Sequence, residues 1–173
     1  MSDSSVQAQR ALRHALGSFS TGVTVITTQG ELGQPLIGLT VNSFSSVSLE
    51  PPLVLWSLSN RSTNMAHFAV GREHAIHVLS EDQEGVARQF ASPQADRFAG
   101  IDYQPPGDFG APLIEGCCAR FYCVTESVLP AGDHQIILAR VLRYETTPAA
   151  APLLFVRGGF ATAAMPVLAS ATA

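Results

Sequence analysis

Two polar stretches carry most of the chemistry legible in this chain. Thr40-Val41-Asn42-Ser43-Phe44-Ser45-Ser46 leaves an apolar run and supplies neutral donors and acceptors, a composition able to hydrogen-bond a planar heteroaromatic ring without charging it. Ser57-Leu58-Ser59-Asn60-Arg61-Ser62-Thr63 opens a segment that reads as a short helix. Backbone N–H groups, hydroxyls and one guanidinium would converge there on an anion. Each stretch has a plainer reading, a solvated strand end for the first and an ordinary helix cap with a surface arginine for the second. Lying on either side of a strand pair, the two together suit a ligand with a polar ring and a phosphate. A third candidate is His134, an imidazole set in a turn behind Gly132 and Asp133.

Other chemistries find less support. His74 and His77 are three apart in an expected strand, so they point to opposite faces and cannot share a metal ion. His14 and His67 fall on expected helices without a second ligand four residues on, and all four read as surface or satisfied core histidines. No G-x-S-x-G, H-E-x-x-H or strand-following G-x-G-x-x-G occurs. All ten basic residues are arginine, and without lysine there is neither a Schiff base nor a P-loop lysine. The three cysteines, Cys117, Cys118 and Cys123, are odd in number and lack C-x-x-C spacing, so they read as small core residues of a reducing compartment.

At 173 residues the chain is expected to form one domain, with its core over about 12–160 and a tail from Ala161 that frays or packs on a neighbour. A net charge of −4 leaves no basic stripe for a phosphate backbone, which argues against a nucleic-acid partner. No apolar run is long enough to span a bilayer, and the first residues lack the order of a signal peptide. A soluble, cytoplasmic protein is the expectation. The charged fraction is only 14% against 46% hydrophobic residues, below the roughly 25% charged of ordinary soluble domains, which points to surface covered by a partner copy or a ligand.

Apolar residues at three- and four-residue steps predict a helix over Gln7–Phe19. The β-branched run Val23–Thr28, a Gly30/Gly33 turn and Pro35–Val41 read as a hairpin. Leu53–Leu58 and Ala75–Leu79 are further strands, with a short helix over Thr63–Val70 between them. Ser80 and Gln83 have capping-box spacing ahead of a helix running to about Phe90. Ser92–Pro112 holds four of the eleven prolines and three glycines and reads as an irregular segment at a ligand site or subunit contact. Two long strands, Cys117–Val128 and His134–Tyr144, flank Pro130–Asp133, and Leu153–Val156 follows. The whole predicts a mainly β fold, an antiparallel barrel of six or seven strands with peripheral helices.

The succession TGVTVITT, GLTVNSFSSVSLEPPLVLWSLSNRST, FASPQADRFAG, GDHQI and PLLFVRGGF resembles the short-chain flavin reductases, the small components of two-component flavin-dependent monooxygenases. The resemblance runs from about Leu12 to Phe160 and implies the flavin-binding split barrel, with FMN or FAD as flavin and NADH or NADPH as hydride donor. It further implies that Thr40, Val41, Asn42 and Ser43 line the flavin ring with Ser57 beside them. Asn60, Ser62 and Thr63 would approach the ribityl phosphate, and Ala91, Arg97 and Phe98 would close the site. His134, with Gly132 and Asp133, would stand at the nicotinamide side. Ala139-Arg140-Val141 and Phe160 depart from the pattern, which more often has Gly-Glu-Val and tyrosine there. The resemblance also implies a homodimer and a separate monooxygenase that receives reduced flavin. A flavin carrier without turnover, a reductase of a corrin or ferric complex, and a cofactorless hydrolase stay open as alternatives.

Overall fold

Alternation is plainest at residues 52–59, where Val54, Trp56 and Leu58 are buried and their neighbours Leu53, Leu55, Ser57 and Ser59 are only half-buried. Such a period-two pattern puts one face of a strand on a core and leaves the other to carry function. The computed structural model describes residues 3–30, 35–148 and 150–164. Helix α1 (Asp3–Leu16) leads into β1 (Thr21–Gly22), β2 (Thr24–Thr28), β3 (Ile37–Val41), β4 (Ser45–Leu49) and β5 (Pro52–Ser59). After β6 (Glu73–Val78) come α2 (Glu84–Ala91), β7 (Tyr103–Gln104) and β8 (Leu113–Ile114). The long hairpin of β9 (Ala119–Ala131) and β10 (His134–Thr146) follows, and β11 (Leu153–Val156) and β12 (Gly159–Thr162) close the described chain.

Seven strands form one sheet in the order β3-β2-β6-β9-β10-β5-β4, antiparallel at every pairing. Its two edge strands, β3 and β4, are consecutive in the chain and joined only through Asn42, Ser43 and Phe44. The sheet curls until side chains from β3, β5, β6, β9 and β10 share one interior, built on Val41, Trp56, Phe68, Ile76, Cys123 and Ile137. The seam between β3 and β4 stays without a ladder, which is the split barrel the family resemblance implies.

Every residue of β2 is buried because a second core covers its outer face. Val23, Val25, Leu79, Ala87, Phe90, Phe98 and Leu153 pack together there beneath α2 and the irregular segment. Gly38 on β3 permits this layer to approach, since a Cβ at that position would overlap the Phe90 ring. His77 belongs to the same side. Its Nδ1 donates to the Val25 carbonyl at 3.0 Å and its Nε2 accepts the Ile114 N–H at 3.1 Å. His74, on the opposite face of β6, lies among Trp56 and Phe68, so the two histidines are separated by the sheet as their spacing requires.

Several expected boundaries differ. The helix expected over Thr63–Val70 is a single 3-10 turn, Met65–Phe68. Asn64 gives it no side-chain cap, and so short a nucleus has few bonds to offset its ordering. The first helix ends at Leu16, ahead of Gly17, and Phe19 lies beyond it. Ser80 accepts the Gln83 N–H on its carbonyl at 2.9 Å and donates its own N–H to Gln83 Oε1 at 3.1 Å, but the first turn is 3-10 and α2 proper begins at Glu84. Ala161 and Thr162, expected to begin a patternless tail, pair in β12 with Leu154 and Leu153. Gly33 and residues 165–173 lie outside the described residues. No described helix is long and apolar enough to cross a membrane.

Candidate functional site

The seam of the barrel is where the two polar stretches meet. Leaving β3, the chain passes Asn42 and Ser43 along the end of β5, and Ser43 Oγ accepts the Ser57 N–H at 2.9 Å. One bond therefore joins residues fourteen apart in sequence and ties the β3–β4 connection to β5. Next to it is a cavity of about 350 Å³ lined by Thr40, Val41, Asn42, Ser43, Ser57, Ser62 and His134, within the ~300–1,000 Å³ usual for small-molecule sites. These are seven of the residues singled out from sequence. Leu39, Leu58 and Ser59 complete the lining. Ser59 was legible in principle, as it shares the outward face of β5 with Ser57; the two leucines read only as core.

His134 arrives from the far end of the chain. As the first residue of β10 it pairs directly with Ser59 on β5, which brings the β9–β10 turn to the rim of the cavity. Its Nδ1 lies 2.7 Å from Asp133 Oδ1. This hydrogen bond, with the attraction the ring adds when it is protonated, holds the exposed Asp133 carboxyl below the usual carboxylate range. Gly132, at φ +65°, occupies the first central position of a two-residue hairpin, where glycine carries no steric penalty.

A second cavity of about 250 Å³ is lined by Ile37, Gly38, Thr63, Asn64, Gln94 and Arg97 among others. Arg97 donates from Nε to the Ser92 carbonyl and from Nη1 to the Gly38 carbonyl, both at 2.9 Å, and so straps the irregular segment to β3. Thr40 does the same for α2, its hydroxyl donating to the Ala87 carbonyl at 2.6 Å. Phe98 is buried edge-on between Phe90 and Tyr103, and Ala91 lies exposed at the end of α2. Neither lines a cavity named above. Asn60 also lies off both linings; its amide is engaged by the β9–β10 turn.

A larger cavity, about 660 Å³, opens near Thr28, Arg72, Glu73 and Gly110, and no residue of the two polar stretches reaches it. Two of its polar side chains bond the backbone of its own lining. Arg72 donates to the Gln29 carbonyl at 3.2 Å, and Glu73 Oε2 accepts the Gly110 N–H at 2.9 Å. The smaller seam cavity, with its hydroxyls and amide, is the site the chemistry favours. No described group of three or more His, Cys, Asp or Glu residues could hold a metal ion. The cysteines stand away from the seam cavity, and burial pushes the thiols of Cys117 and Cys123 up to about 12, far from a reactive thiolate.

An apolar floor of Leu39, Val41 and Leu58, with hydroxyls and one amide at its edge, suits a flat ring whose rim carries donors and acceptors. The donor set fits a flavin. Comparison with known proteins agrees. Residues 16–164 match the family model described as flavin reductase like domain. The reductase component of a flavin-dependent trigonelline monooxygenase from Acinetobacter baylyi is 44% identical over 155 residues, covering 90% of this chain and 49% of that protein. The chain thus spans about half the length of that relative. The FMN reductase (NADH) SmoA of Agrobacterium fabrum is 46% identical over 134 residues, 78% of this chain and 75% of its own. Among solved structures, the NADH:FAD oxidoreductase SgcE6 of Streptomyces globisporus, in complex with NAD and FAD fragments, superposes with a TM-score of 0.84 at 37% identity, covering 91% of this chain and 94% of its own. Matched over most of its length in sequence and in fold, this chain belongs to the flavin reductase-like domain family.

Proposed function

We propose that the chain is an NAD(P)H:flavin oxidoreductase that takes FMN or FAD at the seam cavity and releases reduced flavin to a separate monooxygenase. The observation that carries this reading is the convergence of Thr40–Ser43, Ser57 and Ser62 with His134 around one cavity. Relatives named as an FMN reductase (NADH) and as an NADH:FAD oxidoreductase support the choice of substrates. The flavin, when bound, supplies the hydride-accepting ring, while the protein supplies binding, orientation and exclusion of water. Val41 and Leu58 offer the apolar surface. Asn42, Ser43 and Ser57 offer hydrogen bonds at the ring edge, where donors also stabilise charge that develops on reduction. Ser62 and Thr63 stand at the phosphate side, with Arg97 adding positive charge. His134 contacts the nicotinamide nucleotide.

In this reading the chain acts in the cytoplasm as one domain and as a homodimer. The bare apolar face of α1 supports the dimer, with Leu12 and Leu16 exposed by 61% and 66% and Phe19, just beyond the helix, by 78%. Steady-state NADH oxidation with FMN and FAD in parallel, repeated with NADPH, tests the activity. Catalytic loss of NADH absorbance in the presence of excess flavin is expected. Flavin binding without turnover would reduce the protein to a carrier, and absence of binding would sink the reading altogether.

A further inference from the structure

We infer that Asn60 is a positioning residue that places His134, acting through the β9–β10 turn. Three hydrogen bonds join Asn60 to that turn and to the start of β10. Its backbone N–H donates to the Asp133 carbonyl at 3.0 Å, its Nδ2 donates to the Gly132 carbonyl at 3.1 Å, and its Oδ1 accepts Gln135 Nε2 at 2.8 Å. Both ends of the carboxamide therefore bond residues on either side of His134, seventy-two and seventy-five positions away in sequence.

The turn needs such a tether. Gly132 and Asp133 are exposed, so no buried side chain at its tip fixes its lateral position, and glycine widens its conformational freedom. The β5–β10 ladder runs as far as the Ser59–His134 pair. Asn60 is the next residue of the β5 side, and it extends the grip around the end of the ladder. His134 stands at the rim of the same cavity as Ser57 and Ser62, so a displacement of the turn moves the imidazole relative to whatever lies on the cavity floor.

The inference rests on the flavin reductase reading, and its test separates the two. Asn60→Ala, His134→Ala and the double variant are assayed for FMN affinity by fluorescence titration and for NADH kinetics. Asn60→Ala is expected to lower kcat/KM for NADH about three- to tenfold while FMN affinity stays within about twofold. In the His134→Ala background it should cost nothing more, because both changes remove the same placement. Gln135→Ala, which removes one of the three bonds, should show a smaller loss of the same kind. Hydrogen exchange of the His134 and Gln135 amides should quicken in Asn60→Ala, a readout independent of turnover. Weakened FMN binding with unchanged NADH kinetics would make Asn60 a flavin ligand and overturn the inference, as would additive effects in the double variant or unchanged exchange. A wild-type protein without NADH oxidation would fail the flavin reductase reading instead, leaving the exchange result to judge the tether.

Discussion

His134 and Asp133 are joined from Nδ1 to Oδ1 at 2.7 Å. A carboxylate only accepts, so Nδ1 is the nitrogen that donates in this pair. Adjacent residues rarely pair in a strand, where side chains alternate between faces; here Asp133 is in the turn and His134 starts the strand, and the change of direction brings them together.

That pairing predicts a division of labour. Replacing His134 by alanine should lower kcat/KM for NADH about tenfold or more, equivalent to ~1.4 kcal/mol of lost transition-state stabilisation, with flavin affinity little changed. Asp133→Ala should fall in the same direction by less, because the imidazole remains but its orientation is released. Steady-state kinetics beside a flavin titration check both. A joint fall in melting temperature and flavin affinity would show His134 to be structural.

Gly38 and Phe90 make a packing prediction. Because a Cβ on residue 38 would overlap the Phe90 ring, Gly38→Ala should destabilise the protein by roughly 1–3 kcal/mol, the usual cost of overpacking. Phe90→Leu in the same chain should recover part of the loss by making room. Urea unfolding of the two variants measures it, and a Gly38→Ala protein with an unchanged midpoint would refute the close approach of α2 to β3.

Acid should expose the two buried histidines. Burial lowers His74 to about 4 and His77 to about 3, so both stay neutral in the folded chain while their unfolded counterparts protonate near 6.5. The unfolded state then binds more protons, and stability falls as pH drops below 6.5. Near pH 5 the two contribute a slope approaching roughly 2.7 kcal/mol per pH unit, which eases toward pH 4 as His74 protonates in the folded chain. In His74→Phe that part of the slope should halve. Denaturant unfolding at successive pH values checks it, and an unaltered slope would mean that His74 is not held neutral by its surroundings.

The face of α1, with Phe19 just beyond its end, bears on assembly. Leu16→Glu and Phe19→Glu place charges on an apolar surface that no described element covers, and should shift the protein from dimer to monomer in sedimentation at micromolar concentration. A wild-type monomer with full activity would contradict the dimer.

Sequence alone determined those features whose cause lies within a few residues. The β-branched run Thr24–Thr28 specifies a strand through its own side chains. Ser80 and Gln83 mark a helix start because their bonds span three positions, and Gly132-Asp133 marks a turn because glycine accepts a positive φ. The polar stretches 40–46 and 57–63 were legible as chemistry for the same reason, since residue type states what a side chain can donate or accept. Tertiary structure decided what those groups face. Phe98 and Asn60 carry the right chemistry for a ligand site, yet one turns into the core against Phe90 and the other grips a turn some seventy residues on. Strands β4 and β12 escaped the sequence pattern because edge pairing uses backbone N–H and C=O groups, which nearly every residue carries alike and no side-chain alternation announces. The seam cavity itself exists only because the curled sheet brings Ser43, Ser57 and His134 from three separate strand ends to one place, and long-range proximity is a property of the closed barrel that no local spacing encodes.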